Sequence, residues 1–365
     1  MISSPPDLPW FARPAARTWT CSPGPGRARA FHQRLPGYAP TPLTEVPELA
    51  SELGVGRVWV KDESARMGLA AFKVLGASWA VHQVMSGRPA GDAVLLVTAS
   101  DGNHGRALAW MARLLGQQAL VFVPSGVHPN AVAAIAAEGA QVTHVAGSYD
   151  EAVRRAAKAA RGPGAVLVQD TAWGGYEEVP GWIVEGYSTL FEEIDAQLDQ
   201  ARASRPGLVV IPAGVGSLAQ AGIIHYRARP VAGSPALLTV EPASAAGILT
   251  SLVRGEPVSV RTAVTAMAGL NCGTPSALAW PYLSGGLDAA VAVGDGAGTA
   301  AARDLAGCGI PAGPCGGAAL AGARAALTGS GSVGRRAALG TGPGTTVVLL
   351  STEGAAANPV PDRLR

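Results

Sequence analysis

The sequence predicts an α/β protein, and three observations carry that expectation. Short apolar runs recur at Val94–Val97, Ala119–Val123, Val142–Val145, Val166–Val168, Leu208–Ile211, Leu237–Val240 and Val347–Leu350. Most lack in/out alternation, as parallel strands buried on both faces do. Stretches of helical character separate them, and polar motifs follow them, at the carboxyl ends where parallel sheets collect ligands.

The Pro-rich opening (Pro5, Pro6, Pro9, Pro14, Pro23, Pro25) predicts an extended arm over residues 1–36. After the run at Val94–Val97, Leu108, Met111 and Leu115 share one helix face and Gly116 follows as a C-cap. Ser148 and Glu151 form a capping box ahead of Val153, Ala156, Ala157 and Ala160. Four strands in succession make 86–170 a small α/β domain, and 37–85 with 171–365 supplies a larger sheet domain. The Gly/Ala-rich stretch 285–345 reads as helices punctuated by glycine.

The 365 residues suffice for two domains, and with 48% hydrophobic residues a sizeable core can be buried. A net charge of +2 with 15% charged residues gives no basic stripe for phosphates, which disfavours nucleic-acid binding. No apolar run reaches the roughly 20 residues that span a bilayer. The opening MISSPPDLPWFARPAART lacks the apolar core of a secretory signal, so a soluble cytoplasmic protein is expected, with no membrane partner. Cys21, Cys272, Cys308 and Cys315 show neither C-x-x-C nor a paired histidine spacing. Buried or free thiols are expected, and no metal.

Three of the 28 Lys and Arg residues are lysines: Lys61, Lys73 and Lys158. An amine forms a Schiff base and a guanidinium does not, so each is a candidate for carbonyl chemistry, with codon bias as the plain alternative. Thr98-Ala-Ser-Asp-Gly-Asn-His-Gly105, Gln169-Asp-Thr-Ala-Trp173, Pro212-Ala-Gly-Val-Gly-Ser217 and Ser351-Thr-Glu-Gly354 all stand at strand ends facing one crevice. Gly214-Val-Gly-Ser217 has the build of a phosphate cradle, although a strand-to-helix turn would use the same glycines. Asp101 and Asp170 form a plausible acid–base pair, whereas His104 reads better as a packed histidine. Gly294-Asp-Gly-Ala-Gly298 is a weak dinucleotide fingerprint, because Thr299 stands where the last glycine belongs, and a helix cap is the better reading.

At Lys61-Asp-Glu-Ser64 followed by Ala71-Phe-Lys-Val-Leu-Gly-Ala77 the chain resembles the fold-type-II pyridoxal-phosphate enzymes. The whole constellation resembles the diaminopropionate ammonia-lyase family: KDESARMGLAAFKVLGAS (61–78), TASDGNHGRALAW (98–110), QDTAWGGYEEVPGWIVEGY (169–187), AGVGSLA (213–219), MAGLNCGTPS (267–276) and STEG (351–354). The resemblance implies two parallel-sheet domains with pyridoxal 5'-phosphate in the cleft between them. It implies that Lys73, after Phe72, carries the cofactor as a Schiff base and that Asn103 meets its phenolic oxygen. Gly214, Val215, Gly216, Ser217 and Leu218 would cradle its phosphate, and Ser351 or Thr352 would meet the pyridine nitrogen. Asp101 and Asp170 match aspartates that act as acid and base, Lys61 and Lys158 revert to structural roles, and a homodimer is implied.

Several positions depart from the pattern: Ala70, Gly174, Gly313-Pro-Cys-Gly-Gly317 and Ala355-Ala356. These are expected around the cofactor and substrate pocket, where they would alter substrate scope. The function that follows is α,β-elimination on a small amino acid with a leaving group at Cβ, foremost 2,3-diaminopropionate to pyruvate and ammonia. Rival readings are a β-replacement synthase, a serine/threonine-type ammonia-lyase, a dinucleotide-dependent oxidoreductase using 294–298, and a non-catalytic cofactor-binding relative.

Overall fold

The computed structural model describes residues 9–89, 91–228 and 233–357. Eleven strands are present among them: β1 Trp10–Ala12, β2 Leu43–Glu45, β3 Arg57–Asp62, β4 Leu95–Ala99, β5 Gln118–Pro124, β6 Gln141–Val145, β7 Ala165–Leu167, β8 Leu208–Pro212, β9 Ala236–Pro242, β10 Ala289–Val293 and β11 Thr346–Ser351. They form two sheets, a seven-stranded one in the order β1-β10-β9-β8-β11-β3-β2 and a four-stranded one in the order β6-β5-β4-β7.

Every pair in the smaller sheet is parallel, and its strands fall between β3 and β8 of the larger sheet in the chain. Each of the seven apolar runs coincides with a strand. In the larger sheet β8, β9, β10 and β11 are buried at every residue, which explains why β8, β9 and β11 read as apolar runs; β10, buried as completely, was not among those runs.

The larger sheet departs from a purely parallel expectation at its two edges, where β1 and β2 run antiparallel to their neighbours. The extended arm expected over 1–36 is accordingly part of the fold; its residues 1–8 lie outside the described residues. Trp10 stands opposite Val291, the carbonyl of Pro9 accepts from the Ala292 amide at 3.2 Å, and a short helix follows at Ala28–His32. Pro9 and Pro14 bracket this strand, in keeping with the confinement of proline to sheet edges.

Helices cover both sheets. The helix Lys73–Ser86 packs against Glu178–Gln200, and glycines set how closely they approach. A Cβ on Gly186 would lie 2.4 Å from the Leu75 carbonyl oxygen, and one on Gly76 would lie 2.5 Å from the Tyr187 ring. Either side chain would push the helices apart.

A buried ion cluster ties this pair to β3. Lys61 Nζ donates to Glu193 Oε2 at 2.7 Å, to the Thr41 carbonyl at 2.8 Å and to Gln197 Oε1 at 2.9 Å. Arg66 bridges Glu63 and Glu193, and Lys61, Arg66, Glu63 and Glu193 are all fully buried. Lys61 thus has the structural role expected of it, whereas Lys158 is exposed on the helix Tyr149–Ala159.

Candidate active site

The carboxyl ends of β4 and β7 in one sheet and of β8 and β11 in the other face one cleft. Lys73 opens its helix on the cleft wall. The segment before it is strapped to the end of β11: the Phe72 amide donates to the Thr352 carbonyl at 3.3 Å, and Ala71 pairs with Glu353. The lysine is therefore placed by backbone bonds rather than by its own flexible stem.

Of the candidate residues, Phe72, Lys73, Asp101, Asn103, Asp170, Gly214, Val215, Gly216, Ser217, Leu218 and Thr352 line this cleft. Ser351 does not. It ends β11 fully buried, and its Oγ lies 2.7 Å from where a Cβ on Gly316 would stand, so it faces the helix Pro314–Leu327. His104 lines the cleft but is anchored as a packed histidine, its Nε2 donating to the Val168 carbonyl at 2.8 Å.

Lys73 Nζ donates to Asp170 Oδ2 at 2.6 Å. Burial by itself opposes both charges, but each stabilises the other: the lysine is held well above the ordinary amine range and Asp170 well below the carboxylate range. Asp101 goes the other way. Burial and then the negative charge of Asp170 push it up to about 7, against an offsetting pull from Lys73. Two carboxyl groups in one cleft are thus separated in acidity by their surroundings, the arrangement by which a site holds an acid and a base together.

Below them is the anion cradle. Gly216 has φ +97°, a left-handed conformation that suits glycine, and it leads into the helix Ser217–Arg227, whose first amides have no earlier carbonyl to donate to. A Cβ on Gly214 would stand 3.0 Å from Cys272 Sγ, and one on Gly216 would stand 2.9 Å from Leu283 Cδ1. A helix N-terminus behind bare glycine backbone suits a phosphate, and the Lys73 amine above it suits an aldehyde. The residues present therefore fit pyridoxal phosphate.

Sequence reasoning passed over Tyr149 and gave no role of their own to Ser100, Gln169 and Glu353, which lie within the strand-end motifs. Ser100 Oγ accepts from the amides of Gly102 and Gly105 and shapes the Asp101 turn. Asn103 Nδ2 donates to Glu353 Oε2. Tyr149 opens the helix that follows β6, so the strand-end rule that found the other motifs could have found it.

Of the departures from the family pattern, Gly174 is exposed and a Cβ there would meet nothing within 4 Å, so it does not border the cleft as expected. Gly316 and Gly317 serve packing: a Cβ would lie 2.7 Å from the Glu353 carbonyl oxygen and 2.5 Å from that of Gly298 respectively. Gly294 caps the helix Asp295–Gly307 away from the cleft, as a helix cap does. All four cysteines are free thiols. Among the described residues no cluster of three His, Cys, Asp or Glu could hold a metal, and no helix is long and apolar enough to cross a membrane.

This fold and cleft define the class: residues 34–351 match the family described as pyridoxal-phosphate dependent enzymes. A diaminopropionate ammonia-lyase of Salmonella typhimurium is 39% identical over 70% of this chain and 68% of its own length. A solved diaminopropionate ammonia-lyase of Escherichia coli, in complex with an aminoacrylate-PLP azomethine reaction intermediate, superposes with TM-score 0.86 at 31% identity, covering 95% of this chain and 94% of that one. The same enzyme in complex with D-serine gives TM-score 0.87 over the same shares of the two chains. The chain belongs to the diaminopropionate ammonia-lyase family.

Proposed function

We propose that this protein is a pyridoxal-phosphate dependent carbon–nitrogen lyase that converts 2,3-diaminopropionate and one water to pyruvate and two ammonia. The observation that carries the reading is the pairing of Lys73 with Asp170 at 2.6 Å in the cleft that Asp101 also lines, next to a helix N-terminus built for an anion.

The cofactor, when bound, supplies the sink for the electron pair left on Cα. The chain manages position and protons. Gly214 to Leu218 would hold the phosphate through backbone amides and Asn103 and Thr352 would hold the ring, in a cleft that Phe72 also lines. The Lys73 amine takes the Cα proton on its own face, and Asp170 steadies the charge that Lys73 then bears. Asp101 is half-protonated near neutrality, so it can give a proton to the departing β-amine, which leaves poorly as an anion, or take one on the face Lys73 does not reach.

Residues 86–170 act as the smaller domain, and 37–85 with 171–365 as the larger one, whose sheet the arm joins through β1; 90, 229–232 and 358–365 lie outside the described residues. A cytoplasmic homodimer completes the proposal, supported by a low-charge composition, and sedimentation as a monomer at working concentration counts against it. The decisive experiment is borohydride reduction of the holoenzyme followed by peptide mapping, with assay of diaminopropionate. Label on Lys73 with release of pyruvate and two equivalents of ammonia is expected; label on Lys61 or Lys158, or no release, overturns the reading.

A further inference from the structure

Asp170 offers two oxygens, and only one meets Lys73. The other, Oδ1, accepts from the Tyr149 hydroxyl at 3.1 Å and from Gln169 Nε2 at 3.1 Å. The directions of these bonds are fixed. Gln169 Oε1 takes the Ala99 amide at 2.8 Å, and a backbone N–H can only donate, so the oxygen of the Gln169 amide must be on that side. The Thr98 hydroxyl donates to the same oxygen at 3.0 Å. Gln169 Nε2 is therefore turned towards Tyr149, whose hydroxyl oxygen it approaches at 2.8 Å as a donor. With its oxygen accepting from Gln169, the Tyr149 hydroxyl has its own hydrogen left for Asp170. Burial first, and then the charge of Asp170, hold that hydroxyl well above its ordinary range, so it remains a donor.

We infer that Tyr149 and Gln169 are positioning residues that grip Oδ1 of Asp170 so that Oδ2 is presented to Lys73. The chain of bonds starts at the backbone of β4 and ends on the lysine. A backbone anchor of this kind is rigid, as a site needs when its reacting groups must hold their geometry to within about 0.5 Å. The Ser217 hydroxyl, donating to the Asp170 carbonyl at 2.8 Å, fixes the same residue from the cradle side. Other ionisable groups bearing on Asp170 are Asp101 after β4, His104 on the helix Asn103–Leu114, Tyr176 on the loop after β7, Tyr187 on the helix Glu178–Gln200 and Cys272 on the loop before the helix Trp280–Gly286. None of these has a hydrogen bond to Oδ1 among those described.

The inference rests on the proposed role of Lys73 as cofactor carrier, and the test separates the two. In the holoenzyme, the absorbance of the bound cofactor is titrated against pH for wild type, Tyr149→Phe, Asp170→Asn and the double variant, alongside kcat and KM for diaminopropionate. A carboxylate free to turn away from the nitrogen of Lys73 stabilises its charge less, so the midpoint in Tyr149→Phe falls by about one pH unit, and kcat falls about 10–100-fold with KM within about threefold, the scale of a hydrogen bond to a charged group. In the Asp170→Asn background the tyrosine substitution moves the midpoint no further. Thr98→Val, which touches neither Asp170 nor the cofactor, shifts it the same way by a smaller amount. In the cofactor-free protein, melting temperatures of the wild type and these three variants give the same non-additivity without any turnover. A midpoint unmoved or raised in Tyr149→Phe, or an equal shift in both backgrounds, overturns the inference. Borohydride label away from Lys73 instead overturns the reading beneath it.

Discussion

Replacing Asp101 by Asn should make the cofactor-free protein more stable above neutrality while it weakens the enzyme. The carboxyl of Asp101 is pushed from 3.8 to about 7, by burial and then by Asp170. Its folded value lies above its unfolded one, so its contribution to stability is complete below about pH 4 and is lost as pH rises to 7. A rise of this size corresponds to about 4 kcal/mol at full weight, and roughly half that for a partly exposed group that water screens. An amide carries no such penalty. The asparagine variant should therefore match the wild type near pH 4.5 and exceed it by about 2 kcal/mol at pH 8. With an unfolding entropy of about 2.1 cal/mol/K per residue, that is a rise of about 3 °C in Tm. Scanning calorimetry of both proteins without cofactor at pH 4.5, 6 and 8 reads the effect. A difference that is the same at all three, or a wild type that melts higher at pH 8, would refute the reasoning, because the charge on Asp101 would then cost the fold nothing.

Three further outcomes follow from other parts of the molecule. Asp101→Asn should retain pyridoxal phosphate and lose activity on D-2,3-diaminopropionate more severely than on the L-enantiomer, whereas Asp170→Asn impairs both; equal losses in Asp101→Asn, read by pyruvate release, would show that the two faces are not served separately. Gly216→Ala places a side chain at φ +97° and 2.9 Å from Leu283 Cδ1, so equilibrium dialysis should find cofactor affinity reduced; unchanged affinity would remove the cradle assignment. Glu193→Gln leaves Lys61 and Arg66 fully buried with Glu63 as their remaining carboxylate in the cluster, and denaturant unfolding should register a loss of about 3–5 kcal/mol. Glu193 is held down to about 2 against the opposing effect of its own burial, chiefly by hydrogen bonds and charge from Arg66, so its contribution is present above about pH 4.5 and lost as pH falls towards 2.

The runs of β8 and β11 were legible because nothing within Leu208–Ile211 or Val347–Leu350 competes with the apolar signal. β3 was not, since its Lys61 and Asp62 are polar yet buried, and the carboxylate that makes Lys61 tolerable there is Glu193, 132 residues further along the chain. The same limit governs the site. Strand-end motifs announced Asp101, Asp170 and the Gly214 cradle, because each needs only its own strand to reach the cleft. Tyr149 needs two: it follows β6 at one edge of the smaller sheet, while Asp170 follows β7 at the other, and the helix Tyr149–Ala159 carries the chain back across to make the contact. Ser351 and Thr352 stood equal in the sequence, and only the end of β11 decides between them, Ser351 turning to the helix behind and Thr352 to the cleft.

The lysines make the point most directly. Counting amines narrows carbonyl chemistry to three residues, but Lys61 and Lys73 both meet a carboxylate and differ in what else surrounds them. Lys61 is fully buried, with three acceptors occupying its three protons. Lys73 has one carboxylate, 18% side-chain exposure and an open cleft beside it. An amine can attack an aldehyde only where its nitrogen can be reached, and of the two paired lysines that holds for Lys73 alone.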